Sequence, residues 1–228
     1  APSGGPPRLR MWPRGWQAAA RLWTACPLGP IIQPMADKKR GKLVVISGPS
    51  GAGKSTICRE LLRALPNSRC SVSATTRPPR EGEVDGRDYH FLSRAEFDRM
   101  VAAGELLEHA EYCGQGYGTP RRAVEQALAR GEIVILAIDI QGAAQIAQQA
   151  PESIRIFILP PTMETLQARL EGRQTESKAQ VARRLAAANH EIAHARASGL
   201  YHYFVTNDIL KDSVQRVIEI LQQENDRE

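Results

Sequence analysis

The sequence predicts an α/β protein of three layers, in which a parallel central sheet is covered by helices on both faces and carries an inserted subdomain and a lid. Three observations predict it. From Lys42 onward, short β-branched apolar runs alternate with helical stretches, the pattern of a sheet wound with crossover helices. The first of those runs leads directly into a glycine-rich turn and then a helix. The stretch from Thr75 to Gly118 breaks the alternation, being rich in Arg, Gly, Glu and Tyr.

The predicted strands are Leu43 to Ser47, Ile133 to Ile138, Ile154 to Leu159 and Tyr203 to Thr206, each short and apolar, as parallel strands covered on both faces tend to be. Between them the spacing predicts helices over Lys54 to Ala64, Pro120 to Arg130, Ala143 to Gln149, Met163 to Glu171, Ala179 to Ala197 and Leu210 to Gln223. The insert holds one clear helix, Arg94 to Ala103, opened by the capping box of Ser93 and Glu96. Thr119 is expected to cap the next helix, with Pro120 at its first position. Gly172 to Ser177, polar and arginine-bearing between two helices, reads as a mobile cover.

At 228 residues, 42% hydrophobic and 24% charged, the chain suits one compact domain. The net charge of +5 sits in the first 41 residues, where seven Lys and Arg face one Asp, leaving 23 basic and 24 acidic residues for the remainder. The body is therefore not a basic nucleic-acid surface. Cys26, Cys58, Cys70 and Cys113 are scattered without a CxxC pair, which argues against a zinc site or a disulfide framework and for a reducing compartment. No run approaches the roughly 18 apolar residues that span a bilayer.

Residues 1 to 34 have a composition of their own, with Arg8, Arg10, Arg14 and Arg21, no acidic residue, and Trp12, Trp16 and Trp23. The tryptophans share a helical face opposite Arg14 and Arg21, as in a transit or membrane-surface helix, but serine is scarce and Pro27, Pro30 and Pro34 stop a helix. Met35-Ala-Asp-Lys-Lys-Arg resembles an ordinary start, so residues 1–41 are expected to be a disordered or dispensable extension and residues 42–226 the functional domain.

Gly48-Pro49-Ser50-Gly51-Ala52-Gly53-Lys54-Ser55 matches G-x-x-x-x-G-K-[ST] between a strand and a helix. Glycines let backbone N–H groups turn inward around phosphates, and the helix N-terminus adds its positive dipole end. In that reading Lys54 neutralises the β and γ oxygens of ATP, Ser55 holds Mg²⁺, and Thr56 completes the cradle of a P-loop NTPase fold. Such a cradle says nucleoside triphosphate, not what is done with it. Arg77 and Arg80 straddle a Pro-Pro turn with Tyr89 following, and arginine forks suit a second phosphate.

Together the loop, the Thr75-Thr-Arg-Pro-Pro-Arg80 and Gly82-Glu-Val-Asp-Gly-Arg-Asp-Tyr89 stretch, Glu108, Tyr117-Gly118-Thr119, Ile138-Asp139-Ile140-Gln141-Gly142, the Arg169 to Arg184 region and Val205-Thr-Asn207-Asp208 closely resemble guanylate kinase, across Gly41 to Gln223. The resemblance implies transfer of the γ-phosphoryl of ATP to GMP with Mg²⁺, in purine nucleotide metabolism, by a cytoplasmic monomer or homodimer without nucleic-acid or membrane partners. It implies that residues 75–118 are a GMP-binding subdomain, with Ser73, Arg77, Arg80, Tyr89 and Tyr117 on the GMP phosphate, Glu108 and Thr119 on the guanine and Asp139 on the acceptor side. It also implies that residues 169–184 are a lid, with Arg169, Arg173 and Arg184 joining Lys54 and Arg77 in catalysis and Asn207 at the adenine edge.

Two positions depart from the pattern. Ala137 stands where relatives commonly carry a carboxylate, and Gln174 where glycine is common. Duller readings exist for single residues: Arg87, Arg94 and Arg183 as surface charges, Tyr89 and Tyr117 as subdomain core, Glu108 as a solvated strand position. A sugar-phosphate kinase, a non-catalytic binding module and a nucleotide switch are the rival functions. Glu108 with Thr119 argues against the first, the retained Lys54 against the second and the lack of an N-K-x-D motif against the third. A chain beginning at Met35 is expected to retain full turnover; a large loss of activity on that truncation would show the tail to be functional.

Overall fold

The computed structural model describes residues 41–112, 114–172 and 178–226. The expectations for residues 1–40, Cys113, Arg173 and Gln174 lie outside them. In chain order the elements are β1 (Leu43–Ser47), α1 (Lys54–Ala64), β2 (Ser68–Cys70), β3 (Ala74–Thr75), β4 (His90–Phe91), α2 (Arg94–Ala102), β5 (Leu106–Tyr112), β6 (Gln115–Pro120), α3 (Arg121–Ala129), β7 (Ile133–Ala137), α4 (Ile140–Gln149), β8 (Ile154–Leu159), α5 (Met163–Glu171), α6 (Lys178–Ala197), β9 (Tyr203–Thr206) and α7 (Leu210–Asn225).

The main sheet has five strands in the order β2-β7-β1-β8-β9, and every pairing in it is parallel. Strand β1 is flanked on both edges, and all its residues are buried, because alternate side chains feed two separate cores. Val44 and Ile46 pack with Ile57 and Leu61 of α1 and with Val217 and Ile220 of α7. Leu43 and Val45 pack with Val124 and Ala127 of α3 and with Ala143 and Ile146 of α4. This is the three-layer arrangement that the alternating pattern predicts.

The insert forms a second, four-stranded sheet in the order β4-β3-β6-β5, which the sequence reading did not resolve into strands. Two of its strands are two residues long, β3 buried and β4 half-buried, and both are too short to show a period. Helix α2 begins as expected, with the Ser93 side chain accepting from the Glu96 N–H and the Glu96 carboxylate accepting from the Ser93 N–H. Its buried Phe97 covers one face of this sheet, against the backbone of Gly116.

Three local expectations need correction. Thr119 does not cap α3: Pro120 is the cap residue, and the Thr119 hydroxyl instead donates to Glu108 Oε1 at 2.6 Å, a buried bond unavailable to a capping threonine. Helix α4 starts at Ile140 rather than Ala143, because Asp139 caps it by accepting from the Gly142 N–H at 2.9 Å. Strand β2 was missed, being a three-residue edge strand with the polar sequence Ser-Arg-Cys. Gly116→Ala would place a Cβ 2.6 Å from the Phe97 ring, and the buried ring has little room to move. The substitution should cost about 1–3 kcal/mol, read as a lowered denaturant midpoint.

Candidate active site

The glycine-rich loop leaves β1 at the carboxyl edge of the parallel sheet, where ligands of such sheets are bound. Its shape depends on close backbone approach. Gly48 has φ 147° and a Cβ there would lie 2.4 Å from the Ile158 carbonyl oxygen, while Gly53 has φ 100° and a Cβ there would lie 2.1 Å from Asn207 Nδ2. Pro49 and Ala52 are buried under the turn, Gly51 packs against Leu166, Thr56 is half-buried, and Ser50 and Ser55 are exposed. Lys54 Nζ donates to the carbonyls of Gly48 and, at 3.2 Å, Pro49, so the ammonium rests inside the loop.

Asn207 lies directly beneath. Its Nδ2 donates to the Ala52 carbonyl at 2.7 Å, its backbone N–H to the Leu159 carbonyl at 2.8 Å, and its own carbonyl accepts from Arg169 Nη2 at 2.9 Å. The amide expected at the adenine edge is thus engaged on the loop, and Arg169 reaches the loop through Asn207. Arg184 is half-buried on α6 whereas Arg183 is exposed, so the helix separates the two as the sequence reading does.

The second sheet gathers most of the residues expected on the acceptor side. Paired residues share a face, so the registers Thr75↔Tyr117 and Glu108↔Thr119 put Tyr117, Thr119 and Glu108 on one side. Arg77 joins them, its Cζ 5.4 Å from the centroid of Tyr89 and 5.8 Å from that of Phe91. Tyr89 packs edge-on against Tyr117, with ring centroids 6.2 Å apart. Arg77 Nη2 donates to Glu83 Oε1 at 2.9 Å and Nη1 to the Pro78 carbonyl at 2.8 Å. The Glu83 bond, with a smaller contribution from the Tyr117 hydroxyl, raises the Arg77 pKa further. Arg80 is exposed, and its backbone N–H donates to Glu83 Oε2 at 2.7 Å, so one carboxylate fixes the turn that presents both arginines. Ser73 precedes this face, its carbonyl accepting from the His90 N–H at 2.8 Å.

Glu108 is only 5% exposed. It is no solvated strand position: two buried leucines precede it, and its Oε2 sits where a Cβ of Gly142 would be, at 2.4 Å. Burial pushes its pKa up to about 7, the Thr119 bond opposes the rise, and the nearby Asp139 carboxylate adds to it. Asp139 in turn bears electrostatically on Glu191 and Tyr201, and Lys54 on Glu191, so Asp139 lies in the field of both Glu108 and the group beside the loop lysine. Glu83, Phe91, Glu191, Tyr201 and Ser47 were not found by the sequence reading. Glu191 reads as one more charge on a long helix, and Ser47 as the end of a buried strand.

A glycine cradle with a lysine at the carboxyl edge of a parallel sheet, accompanied by a second sheet that bears an arginine and tyrosine cluster, marks the class of P-loop phosphotransferases. The sequence profile of the family described as "Guanylate kinase" matches residues 40–224. The guanylate kinase of Desulfitobacterium hafniense is 49% identical over 185 residues, covering 81% of this chain and 91% of that one. That of Synechocystis sp. is 45% identical over 193 residues, covering 85% of this chain and 100% of its own length. A crystal structure of guanylate kinase from Anaplasma phagocytophilum superposes with a TM-score of 0.67 at 37% identity, covering 82% of this chain and 87% of that one. The chain belongs to the guanylate kinase family.

The raised pKa of Glu108 carries a stability consequence. A folded-state value near 7 against an unfolded 4.5 means stability fully present below pH 4.5 and lost as pH rises through 7, by about 3 kcal/mol at 1.36 kcal/mol per unit. Relative to Glu108→Gln, the parent should lose roughly that amount between pH 4.5 and pH 8 in urea denaturation.

Proposed function

We propose that this chain transfers the γ-phosphoryl group of ATP to GMP, giving ADP and GDP, with Mg²⁺ as the accompanying ion. The observation that carries this reading is the buried, Thr119-bonded carboxylate of Glu108 on the same sheet face as Tyr117, beside the Arg77 and Tyr89 cluster. A carboxylate accepts from both guanine N1–H and the 2-amino group, whereas adenine offers no such pair of donors. An adenine there would leave the buried Glu108 carboxylate with no ligand donor to add to its Thr119 bond.

In this reading the GMP phosphate is held by Arg77, Arg80, Tyr89 and Tyr117 with Ser73, and Asp139 stands between acceptor and donor. Residues 48–56 hold the ATP phosphates. Lys54 exchanges its loop carbonyls for phosphate oxygens, and Arg169 and Arg184 add charge from the helices on either side of the interval 173–177. The acceptor oxygen is already a nucleophile, so alignment and charge neutralisation are the main demands and no general base is required. The Ser55 hydroxyl, exposed at the start of α1, would hold Mg²⁺, and the ion when bound would neutralise charge developing on the β and γ oxygens.

No described helix is long and apolar enough to cross a membrane. Membership of the guanylate kinase family supports a cytoplasmic enzyme that acts on small nucleotides, as a monomer or homodimer.

An acceptor panel tests the proposal. The parent should phosphorylate GMP with ATP and Mg²⁺ and turn over AMP far more slowly. Lys54→Ala should lower kcat by about 10²–10³. Glu108→Ala should lower kcat/KM for GMP by about 10² or more and bring GMP and AMP together, with little change in KM for ATP. If ribose phosphates or AMP outrun GMP in the parent, the acceptor assignment is wrong while the donor site stands.

A further inference from the structure

Three oxygen-bearing side chains beside the loop have no role in the phosphotransfer just described: Ser47, Glu191 and Tyr201. Ser47 is the last residue of β1, immediately before Gly48, and is wholly buried. Tyr201, just ahead of β9, is 6% exposed. The Tyr201 hydroxyl lies within reach of the Ser47 hydroxyl and in the field of the Asp139 and Glu191 carboxylates, yet neither hydroxyl makes a hydrogen bond of good geometry among the described residues. Buried polar atoms are almost always satisfied, by protein or by ordered water, so this corner is built around something further.

The register of α6 aims Glu191 into the same corner. Val181, Ala188 and Ala195 are its buried positions, and the stripe they define runs through Arg184 and Glu191 at the three- and four-residue spacing of one helix face. From there Glu191 feels the Lys54 ammonium and the Asp139 carboxylate, with His190 as the other titratable neighbour. Two carboxylates and two hydroxyls gather here against the Lys54 ammonium, already engaged on loop carbonyls, and the Arg155 guanidinium behind Tyr201, which leaves an excess of acceptors that suits a hydrated cation. Among the described residues no three His, Cys, Asp or Glu side chains gather closely enough to hold a metal directly. Mg²⁺ keeps several of its waters and needs acceptors for them. Asp139 has one oxygen on the Gly142 N–H and the other available. Ala137, the exposed residue ending β7, offers no carboxylate.

We propose that Glu191 is a positioning residue for the magnesium–nucleotide, accepting hydrogen bonds from water on the ion together with Asp139, Ser47 and Tyr201. This rests on the ATP-dependent reading above. It places on α6 an acceptor that the strand end at Ala137 lacks. It also ties the register of α6, which carries Arg184 two turns earlier, to the occupancy of the loop.

Calorimetric titration with a non-hydrolysable ATP analogue, in Mg²⁺ and in EDTA, separates this role from a merely structural one. Glu191→Gln should weaken binding about 10-fold in Mg²⁺ and leave it unchanged in EDTA, the loss typical of an outer-shell partner. Glu191→Asp should recover most of it, and Tyr201→Phe should show a smaller loss of the same kind. Mn²⁺ bound to the analogue complex, followed by electron paramagnetic resonance, should be released more readily from Glu191→Gln. Equal weakening with and without the ion would make Glu191 a partner of Lys54 only, and unchanged binding would remove it from the site; either result overturns the inference. Thermal melts check folding, and if Glu191→Gln does not fold, Glu191→Asp and Tyr201→Phe carry the same contrast. A parent with no ion-dependent binding would instead overturn the donor-site reading itself.

Discussion

The loop from Gly48 to Gly53 holds its shape because it is pressed against the ends of two neighbouring strands. Gly48 lies on the Ile158 carbonyl of β8, and the Ala52 carbonyl is held by the Asn207 amide that follows β9. A side chain at either glycine would push the loop off its support, so strand order and loop conformation are one constraint. The order β7-β1-β8-β9 places β1 between buried neighbours, and that burial makes the loop's point of departure rigid. Preorganisation of this sort matters because phosphoryl transfer gains mostly from alignment, and backbone N–H groups already turned inward need no reorganisation when charge develops.

The acceptor side uses a different economy. Its sheet is small, and apart from the buried β3 its strands are open along part of their length, so less hydrophobic burial holds it than holds the main sheet. Pinning comes from polar and aromatic contacts: Glu83 across Arg77 and the Arg80 backbone, Arg77 over two rings, and Thr119 on Glu108. Glu108 is the expensive member, since its buried carboxylate favours protonation near neutral pH. A ligand that brings two N–H donors relieves that penalty, and one that brings none leaves it in full. Specificity of this kind comes from the unpaired state being costly more than from the paired state being strong.

How much of this was legible in the sequence depends on where the signal lives. The bounds of β1, α1, β8, α5 and β9 fall where the apolar runs and helical spacing predict, because tertiary burial on both faces enforces those patterns. The second sheet was not legible as strands, since its stability is held in cross-strand side-chain bonds that leave no periodic trace. Thr119 shows the limit of local grammar. A threonine before Pro and a helix reads as a cap, yet a carboxylate eleven residues back in the chain and directly opposite in register claims its hydroxyl. Glu108 could be singled out by pattern, but its burial could not, because that needs Gly142 to leave room from another element. Asn207 was read as facing a base, and only the fold puts its amide under Ala52.

Asp139 connects the two halves by position in the chain as well as in space. It follows a buried strand, caps α4 through the Gly142 N–H, and so fixes both its own carboxylate and the glycine against which Glu108 packs. A displacement of that cap would move the Glu108 carboxylate and the charge beside Lys54 together, since Asp139 bears on Glu108 in one direction and on Glu191 in the other. The Lys54 loop and the Glu108 face, on separate sheets, therefore share one backbone joint. The joint lies at the carboxyl end of β7, directly beside β1, so the same strand pairing that sets the donor loop also sets the distance between donor and acceptor.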